Sequence, residues 1–125
     1  MKPTVSRLSS FDVYRDGGSL SASFFDPSGT EYTLLFPVNL VSRPSGIERV
    51  GYRQPVLERH TQVQRTSPVT GITDKSWKTE PSPTNWQEAK RLLVEMQALV
   101  SEFHTEYEYV YPTMVEIAEA EGGLP

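Results

Sequence analysis

The 125-residue sequence contains no cysteine. Disulfide bonds, thiolate metal sites and cysteine nucleophiles are therefore excluded, and a reducing compartment suits the chain, so we expect it to be cytoplasmic. No run of 18 apolar residues occurs, which argues against a membrane-spanning helix. Residues 1–7 lead into no apolar segment, so we expect no secretory signal peptide.

Basic residues are missing from the C-terminal fifth of the chain. All twelve lysines and arginines precede residue 101, whereas six glutamates follow it, Glu102, Glu106, Glu108, Glu116, Glu119 and Glu121. Residues 43–65 are mildly basic, with five arginines against two glutamates. The two regions could neutralise each other within the fold, or the acidic end could attract a basic partner.

The chain does contain enough apolar material for a folded core. Apolar residues make up 37% of it and include two Trp, six Tyr and five Phe. This composition excludes a disordered acidic tail, although 18 glycine and proline residues indicate many turns. The length suits a single domain over residues 1–125.

The first third of the sequence predicts three β-strands. Apolar and polar residues alternate over 11–14, 20–24 and 31–36, as expected for strands with one buried face. Turn residues separate them, Asp16-Gly17-Gly18-Ser19 and Asp26-Pro27-Ser28-Gly29. The pattern indicates an antiparallel β-meander, and one or two edge strands within 47–65 would extend it to five strands over about 7–65.

Residues 66–83 are predicted to be a long loop between the strands and the helices. Prolines lie near both of its ends, at Pro68 and at Pro81 and Pro83, and a loop of this length is often functional. Its only large apolar side chain is Trp77, which either fixes the loop to the core or is an exposed anchor for a partner.

Helical periodicity begins near residue 84. Thr84 and Gln87 have capping-box spacing, and Ser82-Pro83 is an alternative start. The apolar stripe comprises Trp86, Ala89, Leu92, Leu93, Met96, Leu99, Val100 and Phe103. We therefore predict an α+β fold in which a long amphipathic C-terminal helix covers the β-meander.

The end of this helix is ambiguous in the sequence. Residues 105–111 continue the helical stripe but also alternate like a strand, and we favour helix up to Tyr111 because no turn residue interrupts it. Pro112 should end or kink that helix. Thr113 and Glu116 form a second capping box, which predicts a short final helix to about residue 121, and Gly122-Gly123 should stop it. Leu124-Pro125 should be frayed.

The sequence contains no recognisable catalytic or metal-binding motif. HExxH, GxSxG, GxGxxG and GxxxxGK[ST] are all absent, and the only histidines are His60 and His104. We expect no catalytic residues, no metal and no cofactor. An enzyme would require a cleft in which one of these histidines meets a buried carboxylate.

Nucleic-acid binding is also a weak prediction. A mixture of cations with an aromatic ring and a histidine, as on single-strand binding surfaces, is formed by Arg49, Tyr52, Arg53, Arg59, His60 and Arg65. However, the isoelectric point near 5.2 is low for such a domain.

The segment with the most informative composition interleaves tyrosine and glutamate. Tyr109 cannot share a helical face with both Tyr107 and Tyr111, so at least one tyrosine should be exposed. Tyrosine is a favoured interface anchor, and the surrounding glutamates would complement a basic surface. The predicted partner-binding residues are Glu102, Glu106, Tyr107, Glu108, Tyr109, Glu116, Glu119 and Trp77.

These features favour a protein-binding module over an enzyme. In size, charge and architecture the chain is similar to the immunity proteins that neutralise basic bacterial toxins, and this is the favoured function. The alternatives are a secretion chaperone or adaptor, a subunit of a larger assembly, a small enzyme, or a single-strand nucleic-acid binder. A homodimer could form through the tyrosines or through an edge strand in 47–65.

Overall fold

A computed structural model describes residues 2–15 and 17–122. Within these ranges the chain forms seven β-strands followed by two α-helices. The strands are β1 (Arg7–Val13), β2 (Leu20–Phe25), β3 (Glu31–Phe36), β4 (Val38–Arg43), β5 (Gly46–Tyr52), β6 (Val56–Thr66) and β7 (Thr73–Pro83). The helices are α1 (Trp86–Val100) and α2 (Val110–Gly122).

Five strands form one antiparallel sheet in the order β1-β2-β3-β6-β7. The predicted α+β class and β-meander are thereby confirmed. The β1–β2 turn contains Gly17 and Gly18 at φ of 121° and 110°, which glycine adopts readily; Asp16 of that turn lies outside the described residues. In the next turn the Asp26 carboxylate accepts the N–H groups of Ser28 and Thr30, each at 3.0 Å.

β4 and β5 form a separate two-stranded hairpin and do not extend the meander. Pro37 lies between β3 and β4, where its missing N–H interrupts the sheet pairing. The hairpin leaves the sheet at this point and contacts the β1–β2 turn, where Arg49 Nη1 donates to the Gly17 carbonyl at 3.0 Å. Of the predicted edge strands in 47–65, only the later one, β6, joins the main sheet.

The predicted loop over 66–83 is wrong for most of its length. Residues 73–83 form β7, which pairs with β6 from Val56↔Pro83 to Thr66↔Thr73, so only residues 67–72 form a loop. Sequence periodicity missed β7 because both of its faces are exposed, and no apolar alternation marks such a strand. Its two prolines are tolerated because β7 is an edge strand.

The N-cap of helix α1 lies one residue after the predicted cap Thr84 and three residues after the alternative, Ser82. Asn85 is the N-cap, and its side-chain oxygen accepts the Glu88 N–H at 2.8 Å. The apolar stripe is buried as predicted at Trp86, Ala89, Leu92, Leu93 and Met96. These side chains pack on the sheet together with Phe11, Ala22, Phe24, Leu34 and Phe36.

The prediction of one helix up to Tyr111 is wrong, because α1 ends at Val100 and residues 101–109 form a loop. A helix over 84–111 would be about 42 Å long, whereas a seven-residue strand spans only about 23 Å. The break allows a second helix to return to the same sheet. That helix buries Val110, Met114 and Ala118.

The start of α2 also differs from the prediction. Pro112 lies in its first turn, where a backbone N–H needs no helical partner, so it does not end a helix. Thr113 is not an N-cap; its hydroxyl donates to the Tyr109 carbonyl at 2.7 Å. The helix includes Gly122, the first of the two glycines predicted to stop it, while Gly123 and the predicted frayed Leu124-Pro125 lie outside the described residues.

The sheet face opposite the helices is polar. Ser23 and Thr33 hydroxyls are 2.8 Å apart, Thr33 Oγ1 is 2.8 Å from His60 Nε2, and His60 Nδ1 is 2.9 Å from Thr79 Oγ1. This chain of hydrogen bonds crosses β2, β3, β6 and β7. Neither helix in the described part of the chain has the length and apolar content needed to span a membrane.

Candidate functional site

The predicted tyrosine–glutamate segment lies in the loop between the helices, which we call the acidic–aromatic loop (residues 101–109). Its ends are held by aromatic packing on β1. The ring of Phe103 lies 5.7 Å from that of Phe11, and the ring of Tyr111 lies 6.0 Å from it. The Tyr111 hydroxyl donates to the Leu93 carbonyl at 2.8 Å, and burial raises the pKa of Tyr111. The loop is therefore fixed to the core at both ends.

Tyr107 and Tyr109 form an edge-to-face pair with ring centroids 6.3 Å apart. Tyr107 is half-buried and packs against the core, whereas Tyr109 is 54% exposed. The Tyr107 carbonyl accepts the Val110 N–H at 3.0 Å, and the Tyr109 carbonyl accepts from the Thr113 N–H and hydroxyl. Tyr109 thus presents an exposed ring from a backbone that is already ordered.

The glutamates around this pair are exposed. Glu102, Glu106 and Glu108 all face solvent, and none makes an ion pair with a basic side chain within residues 2–15 and 17–122. The charge of Glu106 and its hydrogen bond raise the pKa of Tyr107. This loop is consequently a negative surface to which the described part of the chain supplies no cationic partner.

Glu116 and Glu119 lie further along α2, on the rim of a groove between the helices. The groove has a volume of about 450 Å³ and an apolar lining that includes Leu93, Val94 and Val115, with Lys90 on the α1 side. On an α-helix, six residues rise by about 9 Å, so the Cα of Glu116 lies about this far along the helix axis from that of Val110, the first residue after the loop. The two glutamates extend the negative surface away from Tyr109.

Trp77 lies far from the other predicted site residues. It is on β7, at the opposite edge of the sheet from β1, and four strand spacings of about 4.8 Å separate these edges by about 19 Å. Trp77 pairs with Gln62 and is 67% exposed, so the prediction that it fixes a loop to the core is wrong. It belongs to a separate surface that sequence analysis did not identify.

Neither histidine meets a buried carboxylate among residues 2–15 and 17–122. His60 is hydrogen-bonded between the hydroxyls of Thr33 and Thr79, and His104 is exposed in the acidic–aromatic loop. Among the described residues, no group of three His, Cys, Asp or Glu side chains is arranged to hold a metal ion.

The arginines of the basic middle region are largely engaged within the chain. Arg43 pairs with Glu48, Arg59 pairs with Glu80 at 2.7 Å, and Arg49 binds the Gly17 carbonyl. These contacts are local to the β4–β5 hairpin and the β6–β7 pair. The acidic C-terminal glutamates are not their counter-ions.

Comparisons with protein-family models, with curated protein sequences and with solved structures find no match to this chain.

Proposed function

We propose that this chain is a protein-binding module whose acidic–aromatic loop engages a basic surface of another protein. The observation that carries the proposal is the exposed Tyr109 ring, held on an ordered loop and flanked by glutamates that lack cationic partners in the described chain. An exposed aromatic ring beside uncompensated charge of one sign is a recurrent combination at interfaces.

The two kinds of side chain would act at different stages of binding. Glu102, Glu106 and Glu108, with Glu116 and Glu119 on α2, would accelerate the encounter with a cationic partner. Tyr109 would supply a rigid apolar contact with few rotamers to lose, supported from behind by Tyr107. Charge changes should therefore alter mainly the association rate, and loss of the ring should alter mainly the dissociation rate.

The specific form of the proposal is an immunity-type inhibitor that covers a basic toxin domain. It is supported by the acidic charge of the chain and by its uncompensated glutamates. In this form, co-expression with the cognate toxin would protect cells, and Tyr109→Ala would reduce that protection. A secretion chaperone or adaptor would bind through the same loop without blocking a toxic activity.

The test is quantitative capture from a lysate of the source cells with the tagged chain and three variants. They are Tyr109→Ala, the triple reversal Glu102→Lys/Glu106→Lys/Glu108→Lys, and the control Trp77→Ala. We expect one stoichiometric basic protein to bind the wild type and the control. Tyr109→Ala should weaken its binding by about 1–3 kcal/mol, as for an interface anchor.

The captured protein is then purified and its association rate measured at several salt concentrations. We expect that rate to fall with salt for the wild type and to be slow and nearly independent of salt for the triple reversal. The proposal fails if capture is unchanged by Tyr109→Ala and by the triple reversal, or if a captured protein depends on Trp77 instead.

A further inference from the structure

β6 and β7 extend beyond the rest of the sheet as a two-stranded ribbon. β3 pairs with β6 only up to Glu31↔His60, whereas β6 and β7 remain paired up to Thr66↔Thr73. Residues 61–66 and 73–78, which we call the ribbon, therefore have only each other as sheet neighbours within the described chain. An isolated two-stranded hairpin is only marginally stable in water, so further strand pairing would stabilise the ribbon.

The two edges of the sheet are protected differently. β1 has a register shift between Leu8 and Ser10, and such a bulge discourages pairing with another chain. β7 pairs with β6 without a shift over all eleven residues, and only its C-terminal part contains prolines, at Pro81 and Pro83. Residues 73–79 are consequently an edge without a bulge or a proline, and the exposed Trp77 follows their central residue, Ser76.

The sequence of this edge is complementary to itself. In an antiparallel pairing of two copies centred on Ser76, Asp74 of each copy lies opposite Lys78 of the other. The same register places Lys75 opposite Trp77, on the other face of the sheet. The pairing therefore contains two opposite-charge pairs and two contacts between a cation and an aromatic ring.

The charged groups are available for this register. Asp74 and Lys75 make no ion pair within residues 2–15 and 17–122, and both are exposed. Lys78 pairs with Glu80 at 3.2 Å, but Glu80 also pairs with Arg59 at 2.7 Å and would keep that partner if Lys78 turned away. A register centred one residue later, on Trp77, would instead place Asp74 opposite Glu80.

We propose that two copies of this chain associate by antiparallel pairing of residues 73–79 of their β7 strands, centred on Ser76. The arrangement has two-fold symmetry, so both copies use the same surface. It joins the two main sheets into one continuous sheet and partly covers both Trp77 rings. Because seven residues per copy are few, the dimer is weak and its population depends on concentration.

The test uses charge reversal and charge exchange in the full-length chain. Sedimentation equilibrium between about 10 µM and about 1 mM measures the dimer dissociation constant across the range expected for a small interface. Asp74→Lys places lysine opposite lysine, and Lys78→Asp places aspartate opposite aspartate. Each single variant should raise the dissociation constant about tenfold or more, since two attractive pairs become repulsive.

Three further samples separate this register from a general charge effect. The double variant D74K/K78D restores both opposite-charge pairs, so its dissociation constant should lie within about threefold of the wild type. An equimolar mixture of the two single variants should form heterodimers, because each Asp and Lys then meets its complement. Glu119→Lys on α2 makes the same charge change as Asp74→Lys and should leave dimerisation unchanged.

A chain that stays monomeric up to about 1 mM overturns the proposal, since even a weak strand pairing would populate a dimer there. A dimer whose dissociation constant is the same for the wild type, both single variants and the double variant also overturns the proposal. Because the proposed function rests on Tyr109 and this inference on β7, either can fail without the other.

Discussion

The two halves of the main sheet are built from similar strands but differ in what covers them. β2 contributes Leu20, Ala22 and Phe24 to the core beneath the helices, whereas β7 contributes no residue to that core cluster among those described. Strand pairing alone therefore does not distinguish a structural strand from an exposed one. Burial against the helices does, and it divides this chain into a stabilising part and a part left open to solvent.

The two tryptophans show the same difference between a position covered by the helices and an exposed one. Trp86 begins α1, packs edge to face on Phe36 at 5.0 Å and is 9% exposed. Trp77 on β7 is 67% exposed. If helix coverage is what gives a side chain its stabilising role, these two residues should respond very differently to the same substitution.

The largest expected effect is that of Trp86→Ala. Removing this ring leaves a cavity against Phe36, and we expect the free energy of unfolding to fall by about 3–5 kcal/mol. Trp77→Ala, the matched substitution on the ribbon, should change it by no more than about 0.5 kcal/mol. Urea unfolding followed by circular dichroism measures both values.

The stability of a chain this size can be close to the cost of Trp86→Ala, so that variant can fail to fold. Trp86→Phe keeps part of the packing and should give a smaller, measurable loss. Equal losses for the two tryptophan-to-alanine variants would contradict the distinction between covered and uncovered strands.

The second-largest effect on stability is expected where the end of α2 contacts the start of α1. A Cβ built on Gly122 would lie 2.3 Å from the Cβ of Trp86, too close for either backbone to remain in place. We expect Gly122→Ala to cost about 1–2 kcal/mol, although alanine is the better helix former. Urea unfolding beside the control Glu121→Ala, at the exposed preceding residue, checks the cause, because the control should change the free energy of unfolding by no more than about 0.5 kcal/mol. An equal cost for both variants would assign the effect to something other than this contact.

A smaller effect is expected where the N-terminal segment crosses α1. Hydrogen bonding to Arg91 lowers the pKa of Glu88 below its ordinary value of 4.5, with a further contribution from Lys2 at 3.0 Å. The ionised Glu88 carboxylate therefore contributes fully to the free energy of unfolding above about pH 4.5. This contribution is lost as the pH falls through the lower pKa that Glu88 has in the folded state. We expect Glu88→Gln to cost less than about 1 kcal/mol at pH 7.

The pH dependence gives the sharper readout. Thermal unfolding between pH 7 and pH 2.5 should show a flatter acid limb for Glu88→Gln than for the wild type. The pKa of Glu80 on the edge strand β7 is also lowered, by Lys78 and Arg59, but this side chain is 40% exposed. Glu80→Gln should leave the acid limb nearly unchanged, and an equal change for both variants would argue against the role of burial.

Sequence periodicity predicted the covered part of the fold well. The stripe of α1 and the alternation of β2 and β3 are visible because burial on one side imposes a period on apolar residues. β7 has no buried side, so its residues carry no such period and were predicted to be a loop. The presence or absence of a buried side thus explains why α1, β2 and β3 were predicted and β7 was not.

The acidic–aromatic loop was predicted in part. Spacing alone indicated that Tyr109 could not share the face of Tyr107 and Tyr111, and Tyr109 is indeed exposed. The break after Val100 was not predicted, because Phe103, Tyr107 and Tyr111 continue the apolar stripe and pack on the core from a loop as well as from a helix. The distance between Trp77 and the tyrosines depends on strand order, which a single sequence does not reveal.

Native-state hydrogen exchange on the dilute chain compares the two halves most directly, amide by amide. We expect the β2 amides and the core of α1 to exchange only through global unfolding, with a free energy equal to that from urea. Amides of residues 61–66 and 73–78 should exchange through local opening at a much lower free energy. Equal protection of β2 and the ribbon would contradict the division between a stabilising part and an exposed part of the sheet.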